Sequence, residues 1–259
     1  MRSICGVLAV LLVVGSASSA HAADPVESSV TAARPGQTPP DFMFGQPRLS
    51  VSVRAAWLVP REGGDLFAFV RDELTIDPGD FRTVALGADL GAILNPRLTI
   101  LGGFDISRAH VASEYRHFIG SDGLPIAQET GLVIANLTGS LKVALLPAGS
   151  RISRYAWIPR TITPFLGGGG GLTYYNFKQD GEFVDFADQS IFPSHFRSAG
   201  WGPIVQVFGG ADLRAWRNVA ITIQARYGWS HAKLGPDFVD FDGIDLAGLR
   251  VESGVTLQF

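Results

Sequence analysis

Cysteine is almost missing from this chain: the only one among 259 residues is Cys5, so no disulfide framework holds the fold together. Surplus charge is missing too. Twenty-one basic residues against 24 acidic ones leave a net charge of -3, which offers no basic face for nucleic acid. Beyond residue 22 no apolar run approaches the roughly 20 residues that a membrane-spanning helix needs. His110, His117 and His195 are scattered without metal-ligand spacing, so no metal and no other cofactor is expected.

What the chain has is glycine (31 residues), aromatics (10%) and many β-branched residues. Arg2, the apolar stretch 7–14 and the Ala20-His21-Ala22 triplet predict a secretory signal peptide over residues 1–22, cleaved between Ala22 and Ala23; Cys5 leaves with it. Residues 23–46 carry Pro25, Pro35, Pro39 and Pro40 among small residues with no period, as a flexible periplasmic segment would. Residues 47–259 are the length of one domain.

From Leu49 onward a period of two sets in. Leu49, Val51, Val53, Ala55, Trp57 and Val59 alternate with Ser50, Ser52 and Arg54, and comparable segments follow at about 82–94, 97–108, 130–145, 161–177, 201–215, 218–231 and 246–259. Two-faced strands of about ten residues suit a tilted crossing of a bilayer, with lipid on one side and a polar lumen on the other. Trp57, Tyr174, Trp201, Trp216, Tyr227 and Trp229 fall near strand ends, where an interfacial aromatic girdle belongs. Links are tight at Asn95-Pro96 and Trp216-Arg217-Asn218 but long at 60–81, 109–129, 178–200 and 232–245; only 146–160 breaks this short–long alternation. The expected fold is all-β: an eight-stranded antiparallel transmembrane β-barrel with short periplasmic turns and long outer loops. A short hairpin hidden in the first loop would raise the count to ten.

The last strand ends Glu252-Ser253-Gly254-Val255-Thr256-Leu257-Gln258-Phe259. This polar-x-Gly-x-x-hydrophobic-x-Phe ending resembles the C-terminal assembly signal of Gram-negative outer-membrane barrels. The Pro164–Tyr174 strand with its five consecutive glycines, and the Asp245–Leu249 opening of the last strand, are similar to strands of the OmpA/OmpX-type superfamily, including its opacity-protein-like members. The resemblance implies an outer-membrane location among lipids and lipopolysaccharide. It also implies assembly by periplasmic chaperones and the barrel-assembly machinery, with Gly254, Leu257 and Phe259 as the signal. No peptidoglycan-binding domain follows the barrel, so cell-wall tethering is not implied.

The alternation sends Arg54, Asp89, Asp105, Lys142, Asp212, Arg214, Arg226, Arg250 and Glu252 into the lumen. Eight strands leave a bore that side chains fill, and charges in it must pair, which predicts a salt-bridged, non-conducting interior. Gly167–Gly171 continues into a strand and not into a helix N-terminus, so it is no phosphate loop; Phe208 and Arg214 are the candidates to fill the space beside it.

In the outer loops Phe183-Val184-Asp185-Phe186 recurs as Phe238-Val239-Asp240-Phe241, marking Phe183, Asp185, Phe186, Phe238, Asp240 and Phe241 as candidates for an aromatic-acidic cap that binds an unknown extracellular ligand. Asp237, Asp240, Asp242 and Asp245 lack the full calcium-loop series. Leu66, Phe69, Val70 and Leu74 after Asp65 predict a short helix on the barrel rim or membrane surface. Ser230-His231 has the residue types of a lipid A deacylase, but neighbours on a strand point to opposite faces and the family's His-x-Ser-Asn-like motif is absent, so no catalytic residues are expected. The chain therefore reads as a structural or surface-binding barrel, with a small-solute channel as the first alternative and a lipid A-modifying enzyme as the second.

Overall fold

The computed structural model describes residues 43–120, 123–153, 156–185 and 190–259; the expected signal peptide and most of the periplasmic segment lie outside them. Eight long strands follow in chain order: β1 Leu49–Pro60, β2 Thr83–Ile93, β3 Leu98–Ile119, β4 Pro125–Ala144, β5 Ile162–Val184, β6 Ile191–Trp216, β7 Val219–Ala232 and β8 Gly248–Gln258. Each pairs antiparallel with the next, and β8 returns to pair with β1, so the sheet closes and its spanning part has no free edge. The chain is an eight-stranded antiparallel transmembrane β-barrel.

The alternation read from sequence sets the two faces. Val53, Leu90, Leu137, Leu172, Val205 and Ile223 project outward and are exposed, forming the apolar band that lipid covers. Tyr174 stacks on Trp201 at 5.2 Å and Tyr227 on Trp229 at 4.7 Å along the outer border of that band. Trp216 reaches the lipid face by a bulge: Ala220 pairs with Arg214 but Val219 pairs with Trp216, leaving Ala215 unpaired and reversing the side-chain phase. The β2–β3 turn is tight because Asn95 Oδ1 accepts the amides of Arg97 and Leu98.

The strands differ in height. The segments 97–108, 130–145, 161–177 and 201–215 that the alternation predicts have the length of a membrane crossing, whereas β3, β4, β5 and β6 run 20–26 residues and β1, β2, β7 and β8 only 11–14. The links at 109–129 and 178–200 are thus largely hairpin extensions, and a four-stranded wall rises above the bilayer on one side. Such a wall has two exposed edges, and the remaining loops cover both. Along β3, Thr75 donates its amide to the Glu114 carbonyl and accepts the Glu114 amide on Oγ1, with Leu74 bridged to Tyr115. Along β6, Asp237 accepts the Arg197 amide and the Gly235 amide donates to Ser198 Oγ.

The first loop forms a helix, α1 (Asp65–Glu73), and no hairpin, so the barrel has eight strands and not ten. Its buried residues are Leu66, Phe67 and Val70, while Phe69 stays 39% exposed. The helix therefore lies over the barrel mouth with Phe67 turned inward, correcting the rim or membrane-surface placement. Arg116 closes its C-terminal end by donating to the Leu74 and Arg71 carbonyls. An unforeseen hairpin lies on the periplasmic side instead: Gly149–Ser153 pairs with Ala156–Pro159, and Met43–Phe44 adds a third strand. At least the end of the 23–46 segment is thus held by pairing rather than free.

Candidate functional site

The lumen is built in layers. At mid-height Gly254, Arg54, Gly87, Asp105, Asn136 and Thr173 are successive register partners across β8, β1, β2, β3, β4 and β5. Arg54 is the largest side chain of that row, and its two neighbours have none. A Cβ at Gly87 would lie 3.1 Å from Arg54 Cζ, and one at Gly254 would lie 2.9 Å from Arg54 Cβ and 2.5 Å from the Val53 carbonyl. Gly87 leaves the space that the guanidinium crosses, and Gly254 lets the last strand lie close against the Arg54 backbone.

Arg54 pairs with Asp89, lies 3.3 Å from Glu252 and reaches Asp105 at 3.5 Å. Arg226 lies 3.3 Å from the other Glu252 oxygen and Arg250 3.7 Å from Asp105. Three guanidinium groups face three carboxylates, all buried. Neutral partners extend the network: Asn136 donates to Asp105 (2.6 Å), Thr173 to Asn136 (2.6 Å) and Gln224 to Glu252. Arg226 also stacks on Phe208, 4.8 Å from the ring centroid. Buried ions are tolerated only with such pairing, and here it spans the whole bore.

Toward the periplasm Lys142 and Asp212 form a second pair at 2.7 Å, joined by Thr222 to Asp212 at 2.8 Å, with the ammonium 3.8 Å over the Phe165 ring. A cavity lined by Ser50, Lys142, Thr163, Asp212 and Thr256 among apolar neighbours continues down to the buried Trp157 of the periplasmic hairpin. Beside it, Gly167, Gly169 and Gly171 face inward on β5. A Cβ on Gly167 would meet the Phe208 ring at 2.4 Å, so Phe208 fills that space. Arg214 does not: it donates to the Arg217 carbonyl and to Gln258 Oε1, while Gln206 and Ser140 meet at 3.0 Å on the same inner surface.

Toward the cell exterior the filling turns apolar. Leu66, Phe67, Val70, Ile76 and Phe81 of the first loop pack onto the inward side chains Leu132, Ile134, Tyr175 and Phe177, with Phe238 and Ile244 of the fourth loop completing the cluster. Tyr175 is fully buried, its hydroxyl bonded to Ser198 Oγ at 2.7 Å and to the Lys233 carbonyl.

The two Phe-Val-Asp-Phe copies are joined through a residue that sequence reading passed over. Phe183 contacts Phe196 edge-on at 4.5 Å, Phe196 contacts Phe238 at 6.3 Å, and Phe238 continues to Phe177 and Phe241. The signal for Phe196 was present, since Phe192, Ser194, Phe196 and Ser198 continue the inward phase of β6. Phe183 and Phe238 are buried inside the cap; Asp185 and Asp240 are exposed, Phe241 is half-buried, and Phe186 lies outside the described residues.

The loop acids do not converge, and among the described residues no group of three or more His, Cys, Asp or Glu could hold a metal ion. Asp237 bonds the Arg197 amide, and Asp245 bonds the Ala247 amide with Arg61 3.8 Å away. Asp65 joins the first loop to the fourth: Oδ2 accepts the Asp242 amide at 2.8 Å and Oδ1 the Leu66 amide. The Asp242 amide holds this carboxyl below its usual range. Burial pushes the Tyr115 hydroxyl, above the membrane on β3, in the opposite direction. Ser230 is buried in the lumen while His231 is exposed.

At the seam, the Phe259 amide donates to the Leu49 carbonyl and its own carbonyl accepts the amides of Arg48 and Leu49. Gly254 faces inward, whereas Leu257 and Phe259 project toward lipid.

No protein-family model and no curated protein match this chain. Among solved structures it is similar to Neisserial surface protein A, with a TM-score of 0.47 and 13% identity over 82% of this chain and 97% of that one. It is also similar to the outer membrane protein OprG from Pseudomonas aeruginosa (TM-score 0.44, 10% identity, 85% and 98% covered). A third is Ail, the attachment invasion locus protein of Yersinia pestis (TM-score 0.39, 14% identity, 83% and 100% covered). Closure by eight antiparallel pairings makes this chain an eight-stranded barrel of the outer-membrane type.

Proposed function

We propose that the protein is a non-conducting outer-membrane barrel that holds a rigid, loop-built head at the cell surface for binding. The observation that carries this is the two-layer filling of the bore: an ionic layer of Arg54, Arg226 and Arg250 against Asp89, Asp105 and Glu252, roofed by the apolar cluster under α1. A water-filled pathway would need both layers to move. The head has apolar side chains turned to solvent, with Ile119 72% and Val239 79% exposed, as an adhesive or ligand-binding surface requires. Binding is therefore assigned to the tips and not to the buried Phe183 and Phe238. In this reading the chain reaches the outer membrane after cleavage between Ala22 and Ala23, guided by periplasmic chaperones and the barrel-assembly machinery. It performs no catalysis, since Ser230 and His231 face opposite sides of β7.

Single-channel recording in planar bilayers tests it, after unboiled gel mobility has verified folding. A folded, silent protein is expected. Reproducible salt-dependent current steps would make the protein a small-solute channel.

A further inference from the structure

The outer face of the tall wall carries a row of cations at a definite height. Register pairing places Tyr174 beside Trp201 in the aromatic girdle, with Ile106 in the same row. Two residues higher the row contains Arg108. Four residues higher, His110, Gly131, Lys178 and Arg197 are successive partners across β3, β4, β5 and β6, and all face outward. With about 3.3 Å per residue and a strand tilt of about 40°, Arg108 sits about 5 Å and the Lys178 row about 10 Å above the girdle. That is the headgroup level of the outer leaflet, above the hydrocarbon core.

Lys178 and Arg197 stand directly opposite each other, an arrangement that destabilises a sheet unless something anionic sits between them. The two carboxylates in the next row up, Glu129 and Asp180, each have a histidine partner. Asp180 pairs with His195 at 2.8 Å and Glu129 with His110 at 3.4 Å. The Arg197 guanidinium donates to Asn176 Oδ1 at 3.1 Å, and its backbone amide, not its side chain, meets Asp237. Among the described residues neither Lys178 nor the Arg197 guanidinium forms an ion pair with a carboxylate. Gly131, next to Lys178, leaves a notch in the row: a Cβ there would meet only the His110 ring, at 3.5 Å.

We propose that Lys178 and Arg197, with Arg108 below them, bind a phosphate group of an outer-leaflet glycolipid headgroup in that notch. Phosphate suits the site because its oxygens bridge an ammonium and a guanidinium a strand apart. The inference rests on the outer-membrane placement of the barrel, not on the closure of its lumen. It assigns the outward face of the wall to lipid and leaves the tips for other partners.

The test uses the refolded protein in phosphatidylcholine vesicles containing either bis-phosphorylated lipid A or the same lipid A stripped of both phosphates. The readout is the temperature at which gel mobility changes from folded to unfolded. Insertion and the folded mobility in plain phosphatidylcholine check the membrane placement separately. The phosphorylated lipid should raise the midpoint, and Lys178→Gln with Arg197→Gln should weaken the lipid dependence by about tenfold in half-saturating lipid, as losing charge-assisted contacts does. Asp180→Asn, which removes a neighbouring carboxylate, should strengthen it and serves if the double variant folds poorly. Equal stabilisation by the stripped lipid, or an unchanged response in the variants, would overturn the site. Abolition of the effect by millimolar inorganic phosphate would overturn the lipid assignment in favour of a soluble anion.

Discussion

Arg54 and Gly254 are register partners across the seam where the last strand closes on the first, and a Cβ on Gly254 would lie 2.9 Å from the Cβ of Arg54. Closure of the sheet and the ionic plug thus meet at one residue, Arg54. Arg54 reaches Asp89, Asp105 and Glu252 from β1, so it is the hub of the layer.

Removing that hub leaves three buried carboxylates facing two arginines. Arg54→Met should lower stability by about 3–5 kcal/mol, the usual effect of stripping one partner from a buried ionic group. Urea titration of the micelle-bound barrel, followed by tryptophan fluorescence, reads it out. A midpoint equal to wild type would mean that the layer is held by its neutral partners.

Phe196 bridges the two Phe-Val-Asp-Phe segments, although it is only partly buried. Phe196→Ala should release about 2 kcal/mol of local packing, less than a fully buried ring would, and speed protease cleavage in the third and fourth loops. The spanning strands should stay resistant. Unaltered cleavage would show that Phe183 and Phe238 are held by other contacts.

Asp65 links α1 to the fourth loop as a carboxylate, and its folded pKa lies below the ordinary value. A depressed carboxyl contributes in full above its unfolded pKa and loses that contribution as pH falls through the folded one. Docking of α1 should therefore be constant from neutral pH down to about pH 5 and loosen below about pH 4, the ordinary carboxylate range. Hydrogen exchange in residues 64–74 follows this directly. Asp65→Asn should flatten the dependence, and a variant that keeps the wild-type profile would assign the acid sensitivity to other groups.

Phe259 closes the seam through three backbone hydrogen bonds while its ring, 61% exposed, lies against lipid. Deleting it should reduce the folded protein in the outer-membrane fraction several-fold. If Phe259→Ala, which keeps the backbone bonds, reduces it equally, the ring is the recognised feature; full recovery in Phe259→Ala would reduce the role of Phe259 to seam closure.

Strand number, order of faces and the lumen residues were legible in the sequence because side-chain direction along a strand has a period of two. Each residue's phase follows from its neighbours, and so Arg54, Asp105, Arg226 and Glu252 could be sent inward before any pairing was known. Heights were not legible in the same way. The alternation runs on through 109–115 and, more weakly, through 192–198, beyond the length that a bilayer crossing requires, and nothing local marks where the bilayer ends.

Which groups meet depended on pairings between distant segments. Met43 opposite Trp157, Thr75 on Glu114, Asp65 on the Asp242 amide and Phe196 between Phe183 and Phe238 join residues with no shared local pattern. The sequence by itself determined a two-faced chain able to close into a barrel. Only the tertiary structure decided how high each strand rises, because unpaired edges above the membrane must be covered by whatever loops can reach them.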